Sequence, residues 1–126
     1  MPRLELERQA SGPQIRGFTA AGGFRVDEGV FPRGLLITSA FARDWSPPPL
    51  DALGEADLAA LLDPQPEFLL LGTGPAQAQP VPALRKALEA RGLGIEAMDS
   101  RAAARLWGVL RAEGRVIGAA LYPLSQ

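Results

Sequence analysis

Two stretches of this 126-residue chain are built alike, and together they restrict the fold to one class. Phe68-Leu69-Leu70-Leu71 runs into Gly72-Thr73-Gly74-Pro75, and Gly94-Ile95-Glu96-Ala97-Met98 runs into Asp99-Ser100. Each is a short apolar run ended by turn-forming residues, the pattern of a buried strand. Between them, Pro80 and Pro82 can open a helix without losing a needed N–H, Leu84, Ala87 and Leu88 recur at helical spacing, and Gly92 is the stop. Strand, helix and strand make a βαβ unit, whose two strands run parallel with a right-handed crossover. The turns Gly72-Thr73-Gly74 and Asp99-Ser100 are therefore predicted to share one edge of the sheet, the edge along which open α/β sheets bind ligands.

The rest of the chain extends this frame. Ser100 or Asp99 can cap a helix running to Glu113, with Ala103, Leu106, Trp107 and Leu110 facing inward. Gly114 ends that helix, and Arg115 to Leu121 is a last apolar strand. Residues 4–38 are expected to be all-β: Gln14 to Thr19 and Phe24-Arg25-Val26 alternate, with turns at Gly22-Gly23, Asp27-Glu28-Gly29 and Pro32-Arg33-Gly34. Leu35 to Thr38 reads as a strand covered on both faces. Residues 39–54 are expected to be irregular, with Pro47-Pro48-Pro49 a stiff surface connection, and Glu55 to Leu62 a short helix with Leu58, Leu61 and Leu62 inward. The sequence has no internal repeat and no dividing linker, so a single α/β domain is expected.

Composition removes whole classes of chemistry. The chain has no Cys and no His, which rules out disulfides, thiol or Ser-His nucleophiles, and zinc sites of the usual Cys/His type. Thirteen basic residues against 14 acidic ones give a net charge of -1, so no broad footprint for nucleic acid is expected. No run approaches the 18 or so apolar residues of a membrane span, and Met1 to Arg8 lacks the apolar core of a signal peptide. The expected location is the cytoplasm.

The pieces Ile15…Gly17-Phe18, Phe24…Val26, Leu35-Leu36-Ile37 with Trp45 after it, and Leu69-Leu70-Leu71-Gly72-Thr73-Gly74 occur in a specific order. Met98-Asp99-Ser100…Ala102-Ala103 and Leu110…Glu113-Gly114-Arg115…Ala119-Ala120-Leu121 continue it. In that order and spacing the chain resembles the family typified by mitochondrial complex I (NADH:ubiquinone oxidoreductase) assembly factor 3 and the adipogenesis-associated domain. The resemblance implies a three-layer fold: a mixed central sheet, flanking helices and a small extra β layer from the N-terminal half. It also implies a non-enzymatic role in assembling a respiratory complex through protein partners. Relatives often read Cys-Arg-Thr-Tyr-Asn where this chain has Ala104-Arg105-Leu106-Trp107-Gly108, and Thr where it has Ser100.

The shared edge is the candidate site. Gly72-Thr73-Gly74 invites a dinucleotide reading, but Gln77 stands where G-x-G-x-x-G needs its third glycine, and no cofactor is expected. Asp99, Ser100, Arg101 and Arg105 form the stronger set, because a helix N-terminus offers free N–H groups and Arg101 and Arg105 lie one turn apart. A small anion or an acidic partner segment is one occupant for this edge. Plain helix capping, with both arginines paired to nearby acids, is the other reading. Self-association through an exposed strand or helix is a third use of the surface.

Overall fold

The structure, a computed structural model, describes residues 12–125. The expectations for residues 4–11 and for the Met1 to Arg8 stretch lie outside the described residues. Strands β1 (Ile15–Phe18), β2 (Phe24–Val26) and β3 (Gly29–Phe31) form a small antiparallel sheet in that order. A second sheet holds β4 (Leu35–Ile37), β5 (Ala42–Asp44), β6 (Phe68–Gly72), β7 (Gly94–Met98) and β8 (Gly118–Leu121), in the order β5-β4-β8-β6-β7. Two α-helices, α1 (Pro82–Glu89) and α2 (Ser100–Ala112), follow β6 and β7.

The apolar runs explain the layering. Side chains alternate across a strand, so in Leu69-Leu70-Leu71 the outer two leucines join one core and Leu70 the other. Leu36 and Ala120 share the first core, while Leu35, Ile37, Ala119 and Leu121 share the second. The first core is closed by Leu84 and Leu88 of α1 and by Leu58, Leu61 and Leu62. Trp107, Ala103 and Leu110 of α2 close the second, with Phe24 and Val26 of the small sheet. The helices thus take opposite faces, as right-handed crossovers running out to β7 and back to β8 require. This is the expected α/β sandwich with its extra β layer.

β6 pairs with both β7 and β8 in parallel, while β4 pairs antiparallel with β8 and β5. The carboxyl ends of three strands, at Gly72, Met98 and Leu121, therefore meet at one rim, as predicted for the first two. The start of β4 and the end of β5 reach the same rim from the other direction, since Leu35 pairs with both Leu121 and Asp44.

Local structure departs from expectation in two places, residues 39–54 and the start of the last strand. Residues 39–54 are not wholly irregular: β5 returns from β4 through a turn in which the Thr38 hydroxyl accepts N–H bonds from Ala40 and Phe41. A three-residue strand carries too little alternation to be read from Ala42-Arg43-Asp44. Glu55–Leu61 is the expected short helix, of the 3-10 type, with Leu58, Leu61 and Leu62 buried as expected. The last strand begins at Gly118 instead of Arg115, because Glu67 holds the preceding residues: its carboxylate accepts from Arg115 Nε at 2.7 Å and from Val116 N at 2.9 Å. Hydrogen bonding to Val116 first, then to Arg115, holds the Glu67 carboxyl below its ordinary 4.5.

Candidate functional site

At the rim, Gly72, Thr73, Gly74, Asp99 and Ser100 are brought together, and Ser100 and Gly74 are hydrogen-bonded to each other. Ser100 is fully buried as the first residue of α2. Its N–H donates to Gly74 O at 2.8 Å and its hydroxyl accepts from Gly74 N at 2.9 Å. The same hydroxyl donates to Tyr122 O at 2.6 Å, just past β8. Gly72 must be glycine here: a Cβ on it would lie 2.7 Å from Ser100 Oγ and 3.0 Å from Ser100 Cα. The Thr73 hydroxyl lies 2.7 Å from Ala76 O and accepts from Ala78 N at 3.1 Å, which closes its loop on itself.

The α2 N-terminus is capped by Asp99, not Ser100. Asp99 Oδ1 accepts from Ala102 N at 2.9 Å, and the Asp99 carbonyl accepts from Ala103 N at 3.0 Å. With Ser100 N given to Gly74, the donors a bound anion would use are taken up largely by the chain, and the capping carboxylate already supplies the negative charge that the helix dipole favours.

Arg101 and Arg105 turn away from this knot toward the small sheet. The Arg101 guanidinium lies 5.4 Å from the centroid of the Phe18 ring. With Arg16, Phe18 and Ala104, the two arginines line an open concavity of about 250 Å³. The expected pairing of both with acids is absent from the ion pairs found among the described residues.

Beside Thr73 and Gly74 the rim opens into a shallow groove of about 650 Å³, walled by Pro32, Pro47, Pro48, Tyr122 and Pro123. The Tyr122 hydroxyl donates to Pro48 O at 2.7 Å, and its ring stands edge-on to Trp45 with centroids 5.3 Å apart. Burial first, then the charges of Asp57 and Asp51, push the phenol up to about 12. Arg33, at the groove's edge, pairs with Asp44. The groove was not foreseen. Its signal was Pro47-Pro48-Pro49, readable only as a connection until the antiparallel pairing of β4 and β5 brings it to the rim. No cluster of carboxylates able to hold a metal occurs among the described residues.

This geometry accompanies clear relationships. The pattern of a family described as proteins of unknown function, DUF498/DUF598, matches residues 18–122. An uncharacterised protein of Rhodobacter capsulatus is 41% identical over 122 residues, 89% of this chain and 93% of that protein. The NADH dehydrogenase (ubiquinone) 1 alpha subcomplex assembly factor 3 of Bos taurus is 36% identical over 63 residues, 50% of this chain and 34% of the bovine protein. The solution structure of XCC1710 from Xanthomonas campestris, 31% identical, matches with a TM-score of 0.78 over 98% of this chain and 93% of that one. The chain therefore belongs to the DUF498/DUF598 family of proteins of unknown function, with complex I assembly factor 3 among its partial homologues.

Proposed function

We propose that this protein is an adaptor that acts by protein contacts, without chemistry of its own, in assembling a respiratory NADH dehydrogenase. The observation that carries this reading is the match of half the chain to an assembly factor for that complex. Because the match spans only 34% of the bovine factor, the factor's partners are extended to this chain as part of the proposal. The titratable groups support it. Tyr122 is pushed up to about 12 and Glu67 is held below 4.5, so both move away from neutrality, where a general acid or base is useful. Cys and His are lacking altogether. Among the described residues no helix is long and apolar enough to cross a membrane, and we place the protein in the cytoplasm, reaching the complex through its partners.

The test is purification of the tagged full chain from its native cells, with identification of what accompanies it. NADH dehydrogenase subunits or their partial assemblies are expected, together with reduced membrane NADH:quinone activity when the protein is deleted. Recovery of no respiratory component, with normal activity on deletion, overturns the reading.

The groove of about 650 Å³ beside Thr73 and Gly74 favours a second reading, a domain binding a small anion or nucleotide at that edge. Titration with inorganic phosphate, ATP and NADH separates the two. The second reading requires saturable binding with spectral shifts at Gly72, Thr73, Gly74 and Ser100, while the adaptor reading requires none.

A further inference from the structure

We propose that the flank where β1 meets α2 receives an acidic, partly apolar segment of a partner protein. The proposal rests on the adaptor reading and adds the chemistry of the partner.

Register in the small sheet supplies the first observation. Ile15 pairs with Val26 and Gly17 with Arg25, so Arg16 is the extra residue of a bulge. Bulges re-aim the side chain they carry. Here Arg16 joins Arg101 and Arg105 around one concavity, floored by Phe18 and Ala104. Three guanidinium groups thus share a surface on a chain whose overall charge is -1. Asp27 is the acid paired to this group, 3.7 Å from Arg16, and both side chains are well exposed at 46% and 63%. A long, solvated pair of this kind holds its arginine weakly, so Arg16 can exchange partners.

The shape of the surface selects a segment over a small ion. Arg101, Arg105 and Val109 succeed one another every four residues on α2, a stripe of about 12 Å at the helical rise. Val109 is 50% exposed, so the stripe is cationic at one end and apolar at the other. The concavity is open, and the nearby helix N-terminus is already filled by Asp99. A compact anion would engage only the cationic end of that stripe. An extended chain carrying carboxylates and an aliphatic side chain would meet matching groups along its length.

The experiment uses the isotopically labelled full chain and three probes: an eight-residue peptide alternating glutamate and valine, its lysine-valine counterpart, and inorganic phosphate. The acidic peptide is expected to shift the signals of residues 15–18, 101, 105 and 109, and to weaken about tenfold or more as salt rises or in Arg101→Glu/Arg105→Glu. The basic peptide and phosphate are expected to give no saturable effect. Absence of acidic-peptide binding, equal binding by the folded double variant, or shifts centred on the proline-walled groove overturns the proposal. So does equal response to phosphate, which would mark an anion site. The same variant in native purification keeps the two ideas apart. If wild type and variant recover the same respiratory partners, the flank is wrong and the adaptor reading stands. If the wild type recovers none, the adaptor reading itself fails.

Discussion

The rim and the flank share the first turns of α2 and differ in almost everything else. At the rim, Ser100, Gly74, Asp99 and Tyr122 spend their polar groups within the fold. On the flank, Arg101 lies over an aromatic ring and Arg16 in a long ion pair, and both side chains are exposed. The difference teaches that a glycine turn beside a helix N-terminus is not by itself a vacancy. An acid placed immediately before the helix fills the position that an anion would take, and a buried hydroxyl can lace three chain segments together. The rim uses its polar groups inside the fold, and the flank leaves its cations exposed.

That contrast breaks if the two regions respond alike to substitution. Gly72→Val carries the largest expected effect, about 3 kcal/mol lost, because its Cβ would press on Ser100 Oγ and Cα. Ser100→Ala follows at about 2 kcal/mol, since it strands a Gly74 N–H and a Tyr122 carbonyl at a buried site. Loss of the cap in Asp99→Ala costs about 1 kcal/mol. Arg101→Glu and Arg105→Glu, by comparison, stay within about 0.5 kcal/mol of wild type. Urea unfolding of the five variants measures all of this. Tolerance of Gly72→Val, or unfolding by the flank reversals, would dissolve the distinction.

Much of the architecture was legible because burial on both faces leaves a strong mark. Leu69-Leu70-Leu71 could only be an inner strand, and its partner Gly94–Met98 followed from the helix between them. The shared rim followed from the parallel direction of those two strands. What the sequence concealed depends on pairing at a distance. β5 is three residues long and exists through its ladder with β4, and the proline groove exists only because that ladder ends at the rim. Likewise the placement of Arg16 depends on a bulge, for which Gly17 was a faint hint. Asp99 against Ser100 as cap was undecidable from residue type, since both are good caps. Only the buried partners of Ser100 decide it.

Tyr122 sharpens the comparison from the rim side with a spectroscopic handle, as it is the only tyrosine in the chain. Its phenol stays protonated up to about 12 in the folded state, above the ordinary 10. The sign follows: between those values the unfolded chain has released the proton and the folded chain has not, so stability falls as pH rises through that window. Phenolate absorbance is expected to rise near pH 10 in denaturant and near 12 in the native protein. Tyr122→Phe should remove this alkaline loss and cost about 1 kcal/mol at neutral pH for the bond to Pro48. A native phenol titrating at its ordinary value would mean that the groove wall is open to water.

The smallest expected effect lies at the opposite end of the sheet, where Glu67 ties β6 to the approach of β8. Its carboxyl is held low by the Val116 N–H and then by Arg115, so the favourable term is present above the ordinary 4.5 and is lost as pH falls through the folded value. The group is solvent-exposed, and screening keeps the contribution small. Glu67→Gln retains an oxygen for Val116 but gives up the charge. Its melting temperature should sit slightly below wild type at pH 7 and converge with it as acid protonates the wild-type carboxyl. Parallel pH profiles for the two proteins would show that this carboxylate contributes nothing as an ion, and that the end of the sheet away from the rim is held by its backbone ladder and packing alone.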